Sequence, residues 1–349
     1  MVHLWLRSES RANEERVGLT PRGAAKLVDA GFKVTVEESS QRIIPIADYA
    51  AAGCVIASEF SWTDAPDDAI IFGLKELPED DTPLRHRHIM FGHAYKGQPS
   101  GRVLLDRFQA GGGMLYDLEY LIDGDGRRVA AFGYWAGYAG AAVSLLCWMA
   151  QQRGGIAAPV KAYPSANHML AEMQEMLVAL GTDRPTALII GALGRVGTGA
   201  ADLCTAMGVA TTGWDMAETA SGGPFPEVLT HDIFLNCILA RPGTPIFVPA
   251  SAKVAPRKLC VIGDIACDPD SDFSPIKVYE RTTTWEEPAL RVHDNPVLDV
   301  MAIDNLPSML PTESSDDFAG QLLPHLLALG DLDKGVWARA LGYFERAVG

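Results

Sequence analysis

A chain of 349 residues has room for two domains of ordinary size, and with 48% hydrophobic residues each can bury a full core. The formal net charge of −15 argues against nucleic acid or an anionic membrane as a partner. The six cysteines (Cys54, Cys147, Cys204, Cys237, Cys260 and Cys267) show no CxxC pair and no metal-like spacing, so they read as buried thiols of a cytoplasmic protein.

The first segment, Leu4-Trp5-Leu6, reads as a strand and lacks the layout of a signal peptide. Thr20-Pro21 starts a helix, with Thr as N-cap and Pro in the first turn, and Gly31 ends it. Residues 33–37 alternate as a strand, 46–52 form a short helix, and 55–56 a short strand. Residues 69–73 and 89–93 are buried strands, 103–109 a helix, and 114–117 the next strand. Such alternation predicts a mainly parallel sheet with covering helices.

Residues 130–150 carry no charge and are long enough to span a bilayer. Their many Gly and Ala residues, with Gly133, Gly137 and Gly140 spaced for close packing, favour a buried helix over 130–152 that joins two domains. Residues 154–185 read as a looser helical segment. Residues 234–238 and 258–262 read as strands of a second unit. Residues 316–330 and 333–348 read as amphipathic helices, the last returning to the first domain.

The most informative stretch is 186–215. The apolar run 187–190 leads into Gly191-Ala192-Leu193-Gly194-Arg195-Val196-Gly197, then a helix, then a segment ending at Trp214-Asp215. Such a unit cradles a dinucleotide: glycines let the backbone approach the pyrophosphate, and the helix N-terminus faces its charge. Asp215 stands roughly 20 residues beyond the turn, where a carboxylate bonds a ribose hydroxyl and repels a 2′-phosphate. NAD is therefore favoured over NADP. The spacing is GxxGxxG rather than GxGxxG, and a turn that merely packs a helix on a sheet remains the alternative.

Ligands of open α/β sheets bind beyond the carboxyl ends of the strands. Lys75 and His93 lie at two such ends in the first half, where they would offer acid–base chemistry if they face one cleft. The alternatives are an ordinary exposed lysine and a structural histidine. His86, His88 and His93 form HxHx4H, but Arg85 and Arg87 alternate with them, so no metal is expected. Arg16 and Arg127-Arg128, at loops of an acidic chain, suit an anionic substrate; surface salt bridges are the plainer explanation.

Several segments, in order, resemble the lysine-forming saccharopine dehydrogenases, whose fold is related to alanine dehydrogenase and transhydrogenase. They are Arg16-Val17-Gly18-Leu19-Thr20-Pro21, Gly73-Leu74-Lys75-Glu76, Phe91-Gly92-His93-Ala94-Tyr95-Lys96, Leu115-Tyr116-Asp117-Leu118-Glu119, Gly126-Arg127-Arg128-Val129-Ala130-Ala131-Phe132-Gly133, the glycine turn, Trp214-Asp215, Gly222-Gly223-Pro224-Phe225 and Ile303-Asp304-Asn305-Leu306-Pro307-Ser308. The resemblance implies that Lys75 and His93 are catalytic and that Glu119 modulates their pKa values. It implies saccharopine contacts at Arg16, Gln98, Arg128, Phe132 and the loop Asp264, Ile265, Ala266. It implies NAD contacts at Arg127, Gly191, Gly194, Arg195, Gly197, Asp215, Thr219, Gly263, Ile303, Asp304, Asn305 and Leu306. Fungal members can pair a cysteine of the glycine turn with one matching Cys237; Val196 stands at that turn position here. Leu239 replaces a tyrosine near the cofactor.

The expectation is thus an α/β protein of two Rossmann-like domains with mainly parallel sheets and an active site in the cleft between them. Residues 1–128 with about 325–349 would form the substrate domain, and 129–324 the NAD-binding domain, entered by the helix over 130–152. The expected reaction converts saccharopine to L-lysine and 2-oxoglutarate, on a cytoplasmic protein that is plausibly monomeric. The alternatives are a related alanine-dehydrogenase-like or opine-type enzyme, or a catalytically silent NAD-binding regulator.

Overall fold

A computed structural model describes residues 1–97, 99–269 and 271–349. Two compact units account for the chain: Met1–Ala131 with Pro311–Gly349, and Phe132–Leu310.

The first unit begins β1 (His3–Leu6), α1 (Pro21–Asp29), β2 (Lys33–Glu37), α2 (Ile46–Ala51), β3 (Val55–Ala57), β4 (Ile70–Phe72), β5 (Arg87–Met90), α3 (Pro99–Gly111) and β6 (Met114–Asp117). Thr20 caps α1 by accepting the Gly23 N–H at 3.3 Å, Pro21 opens it, and Gly31 follows its end with φ +86°. The six strands run parallel in the order β3-β2-β1-β4-β5-β6. This is the doubly wound arrangement, with its topological switch between β1 and β4. β1, β2 and β4 are largely buried on both faces because helices cover both; Leu4, Val36, Ile71 and Phe72 are buried, as are the polar His3, Thr35 and Glu37.

The second unit opens with α4 (Gly133–Gln152) and α5 (Ala166–Leu180). α4 is buried along most of its length. Its glycines let it lie directly on the helix that follows the glycine turn: a Cβ at Gly137 would overlap the Val196 carbonyl oxygen. No helix among the described residues is long and apolar enough to cross a membrane. The looser segment expected over 154–185 contains the regular α5, capped by the Ser165 hydroxyl and closed by Gly181 at φ +66°.

β7 (Thr186–Ile190), α6 (Arg195–Ala206), β8 (Ala210–Trp214), α7 (Met216–Thr219), β9 (Ile233–Asn236), β10 (Val261–Asp264), β11 (Leu290–Asp294) and β12 (Val297–Met301) follow. Their sheet has the order β11-β12-β10-β9-β7-β8 and is parallel except for the β11–β12 pair. β10 runs three residues later than the strand expected over 258–262, because Lys258 and Leu259 donate to the Leu229 carbonyl before the strand begins.

α8 (Pro311–Leu326) and α9 (Gly335–Val348) complete the first unit. The return therefore occurs at Pro311, a helix earlier than the boundary expected near 325. Packing decides this: α8 lies on α1, and Ser315 Oγ accepts the Val17 N–H at 2.9 Å. The other edge lies at Ala131 rather than 128, since Gln321 of α8 accepts the Ala131 N–H at 3.2 Å.

Candidate active site

Parallel strands point their carboxyl ends the same way, so the loops after β1, β4, β5 and β6 gather on one edge of the first sheet. Glu9, after β1, accepts the Leu74 N–H at 2.6 Å and the Lys75 N–H at 3.1 Å, which pins the turn after β4. Arg7 donates to the Lys75 carbonyl and lies 3.3 Å from Glu9. Lys75 thus sits beside the β1/β4 switch on a backbone held from two sides. Its ammonium has no hydrogen-bond or ion-pair partner among the described residues. Burial, and then the charges of Arg16 and Arg11, lower its pKa, against the opposing pull of Glu14 and Glu76.

Arg16 is buried and gripped by Glu14, which accepts from Arg16 Nε at 2.7 Å and Nη2 at 2.5 Å. Burial alone would raise the Glu14 pKa; the Arg16 guanidinium outweighs it and holds the carboxyl below its usual range. Glu14 has no motif signature, and nothing in the spacing of the sequence distinguishes it from Glu15.

His93 leaves the strand adjacent to that of Lys75. Phe91 donates to the Leu74 carbonyl at 2.9 Å, so the two loops start level with each other. The strand expected through His93 ends at Met90, because the chain turns sharply there: His93 adopts φ +48°. A non-glycine residue in this region costs roughly 1–3 kcal/mol and is held by its surroundings. The holders are identifiable. Buried Asp117 accepts the Gly92 N–H at 3.2 Å and the Glu119 N–H at 2.8 Å, and Gly101 of α3 packs where a Cβ would press on Ala94 at 2.7 Å. Burial raises the Asp117 pKa to about 6.

Glu119, after β6, faces the side chains of His93, Lys96 and Arg128. Its Oε2 lies 3.8 Å from His93 Nδ1, beyond hydrogen-bond distance. Its Oε1 accepts from Lys96 Nζ at 2.9 Å and lies 3.5 Å from Arg128 Nη2. Contact with His93, then Lys96 and Arg128, holds its carboxyl at about 2. Arg127 and Arg128 are exposed on a turn shaped by Gly126 at φ +77° and by Asp123, whose carboxylate accepts the N–H groups of Asp125 and Arg127 at 2.9 Å. His86 and His88 point elsewhere. His86 Nε2 is 3.0 Å from the Ala65 carbonyl, and His88 is buried between Trp62 and Phe108. Gln98 lies outside the described residues.

In the second unit the carboxyl ends of β7 and β8 build the glycine turn. Gly191 has φ +88°, a conformation that favours glycine, and a Cβ at Gly197 would overlap the Gly191 carbonyl oxygen. Leu193, Gly194 and Arg195 are exposed at the start of α6. Asp215 accepts the Leu193 N–H at 3.0 Å and caps α7 through the Met216 N–H at 2.9 Å. Its backbone N–H donates to Glu218 at 2.7 Å, and Thr219 Oγ1 donates to its carbonyl at 2.9 Å. A close-approach turn, an open helix N-terminus and an acid at the neighbouring strand tip suit a dinucleotide.

The other residues expected near ligands have mixed surroundings. Ile303 and Leu306 are buried, Asp304 is exposed, and Asn305 accepts from Trp285 Nε1 at 2.9 Å. Gly263 is buried against Ser144, which leaves no room for a Cβ. Phe132 opens α4 and is half-buried, as is Ala266. Asp264 is 1% exposed, and its oxygens accept from Asn236 Nδ2 at 2.9 Å and the Tyr279 hydroxyl at 2.7 Å. Ile265 is likewise buried, against Gly140. The six thiols are all unpaired, but only Cys147, Cys204 and Cys237 are fully buried.

Comparison with known proteins agrees with this layout. Over its whole length the chain is 45% identical to the saccharopine dehydrogenase (NAD(+), L-lysine-forming) of Schizosaccharomyces pombe, covering 99% of this chain and 98% of the relative. The chain belongs to that family. The protein of the same description from Candida albicans is 44% identical over 99% of this chain and 97% of its own. Residues 5–139 match the family described as alanine dehydrogenase/PNT, N-terminal domain. An L-alanine dehydrogenase structure shares the fold, with a TM-score of 0.70 and 18% identity over 97% of this chain and 94% of that one. The saccharopine dehydrogenase relationship thus extends through both units, whereas the N-terminal family match reaches only eight residues into the second.

Proposed function

We propose that this chain catalyses the reversible NAD-dependent conversion of saccharopine to L-lysine and 2-oxoglutarate. Met1–Ala131 with Pro311–Gly349 acts as the substrate domain, and Phe132–Leu310 as the NAD-binding domain. One observation carries the reading: a desolvated lysine without a partner among the described residues, Lys75, near a buried arginine and in the turn after the strand adjacent to the one that leads to His93. Membership of the family supports it.

NAD would be held by the turn Gly191–Gly197, by Asp215 and Thr219 at the tip of β8, and by residues 303–306, with Arg127 and Arg195 near its charged groups. When bound, NAD would supply the hydride acceptor for the substrate carbon that bears the secondary amine. Lys75 accepts the proton of that amine, a role its lowered pKa favours. His93 manages protons as water adds to the imine carbon, and donates one to the departing amine of lysine. Glu119 keeps a negative charge beside His93 throughout. Arg16 and Arg128 hold substrate carboxylates, which fixes the reacting carbon. Asp215 selects NAD over NADP.

The test follows NADH absorbance on the purified chain with saccharopine, alanine and other opines as separate substrates. Turnover confined to saccharopine is expected. Equal or greater turnover of alanine would replace this reading with an alanine-dehydrogenase-like one.

A further inference from the structure

Asp117 ends β6 and is 0% exposed. A buried carboxyl group is costly unless its oxygens are hydrogen-bonded. Two backbone N–H groups from different loops meet this one: Oδ2 accepts from Gly92 at 3.2 Å and Oδ1 from Glu119 at 2.8 Å. Gly92 lies in the loop after β5 and directly precedes His93, whereas Glu119 lies in the turn after β6. The strands pair with Met90 opposite Asp117, so the carboxyl sits where both loops leave the sheet. The close approach leaves no room for a side chain at Gly92, whose Cβ would come 2.7 Å from Leu115 Cδ2 and 3.2 Å from Asp117 Oδ2. Above the carboxyl, the first loop presents His93 and Lys96, and the second presents Glu119, 3.8 Å from His93 Nδ1 and 2.9 Å from Lys96 Nζ. The His93 and Lys96 side chains are 50% and 60% exposed, and contacts of that kind hold a geometry weakly because water competes for them. The buried bonds to Asp117 are screened from water and dominate.

We propose that Asp117 is a positioning residue for the reaction: by bridging the two loops it sets the separation of His93 and Glu119, and so places the imidazole for the hydrolytic half of each turnover. The role is a consequence of the one proposed above for His93. Asp117 is sealed beneath the loops and acts only through them. A carboxylate suits the task because each oxygen accepts from a different loop, whereas an amide would turn its own N–H donors toward one of the two N–H groups. The bridge also accounts for the left-handed backbone at His93, φ +48°, which persists only where the surroundings enforce it.

The experiment is stopped-flow NADH formation with saccharopine on the full chain, comparing wild type, Asp117→Ala, Asp117→Asn, His93→Gln and the double variant Asp117→Ala with His93→Gln. Hydride transfer relies on Lys75 and precedes water addition, so a displaced His93 leaves the first turnover fast and slows those that follow. Asp117→Ala should form its first NADH at close to the wild-type rate and lower the steady-state kcat by about 10- to 100-fold, the effect of an ångström-scale misplacement, with KM for NAD unchanged. Asp117→Asn, with one acceptor oxygen left, should lose less, and it decides the matter by the same split if the alanine variant does not fold. Adding Asp117→Ala to His93→Gln should cost almost nothing further, since both act through one imidazole. The proposal is overturned if the first and later turnovers slow together, if kcat is unchanged in both Asp117 variants, or if the two losses multiply in the double variant. Absence of saccharopine turnover in wild type would refute the proposed reaction and leave the bridge to be read without substrate, by amide hydrogen exchange. The Gly92 and Glu119 amides should exchange faster together in Asp117→Ala, and unchanged exchange at both would overturn the bridge.

Discussion

Glu119 Oε2 lies 3.8 Å from His93 Nδ1, while its other oxygen meets Lys96 and Arg128. This convergence lowers the Glu119 pKa from 4.5 to about 2. A carboxyl depressed in the folded state adds stability that is complete above its unfolded value and is lost as pH falls through the folded one. Glu119→Gln lacks this contribution at every pH. Thermal unfolding should therefore show wild type above the variant at neutral pH, with the gap closing between about 4.5 and about 2. A gap that is constant across that window would show that packing, not charge, sets the difference.

Lys75→Met with His93→Gln should lower saccharopine turnover by roughly 10²–10⁴-fold, the usual effect of losing positioned acid–base groups. NAD affinity should hardly change, since neither residue belongs to the glycine-turn unit. Steady-state rates and NAD titration by fluorescence read the two quantities separately. Near-normal turnover would remove the pair from the mechanism.

Arg16 is the largest charged contributor to the lowered Lys75 pKa. With the cation gone, the Lys75 pKa rises, so a reaction that needs the neutral amine requires a higher pH. In Arg16→Gln the ascending limb of the pH profile for saccharopine oxidation should move upward, measured at saturating substrate so that weaker binding does not intrude. An unmoved limb would assign that titration to another group.

Asp215 has two separable duties, since it caps α7 and carries a charge beside the turn. Asp215→Asn keeps one acceptor oxygen of the two, so it retains one N–H contact, and it should narrow the preference for NAD over NADP at a smaller stability cost than alanine. Asp215→Ala should narrow it likewise and cost about 1 kcal/mol more in unfolding, the typical effect of a lost N-cap. A cofactor ratio unchanged in both would reject the selective role of the charge.

Gly137 of α4 and Gly199 of α6 let the two helices touch backbone to backbone: a Cβ on Gly199 would overlap the Tyr134 carbonyl oxygen. Alanine at either position forces the helices apart and should destabilise by about 1–3 kcal/mol or more. Gly320 in α8 has open space around it, so Gly320→Ala should stabilise by about 0.5–1 kcal/mol. Chemical denaturation of the three variants checks the opposite signs.

Much of this was written locally. Apolar runs announced β1, β4 and β7, the last two bracketed by proline and glycine. Thr20-Pro21 announced the start of α1, and the glycine turn with Asp215 announced the dinucleotide unit, because strand burial, capping and close backbone approach each depend on a few adjacent residues. Lys75 and His93 could be proposed as a pair because both follow strands that had to be parallel. Other features depend on residues far apart in the chain. The grip of Glu14 on Arg16 beside Lys75, the strained turn at His93 held by Asp117, the internal engagement of Asp264 by Asn236 and Tyr279, and the return of the chain at Pro311 come from long-range packing. Short-range pattern can specify that an element forms and which face it buries. Which charges end up within a few ångströms, and hence which pKa values move, is decided only when the sheet order brings separate loops to one edge.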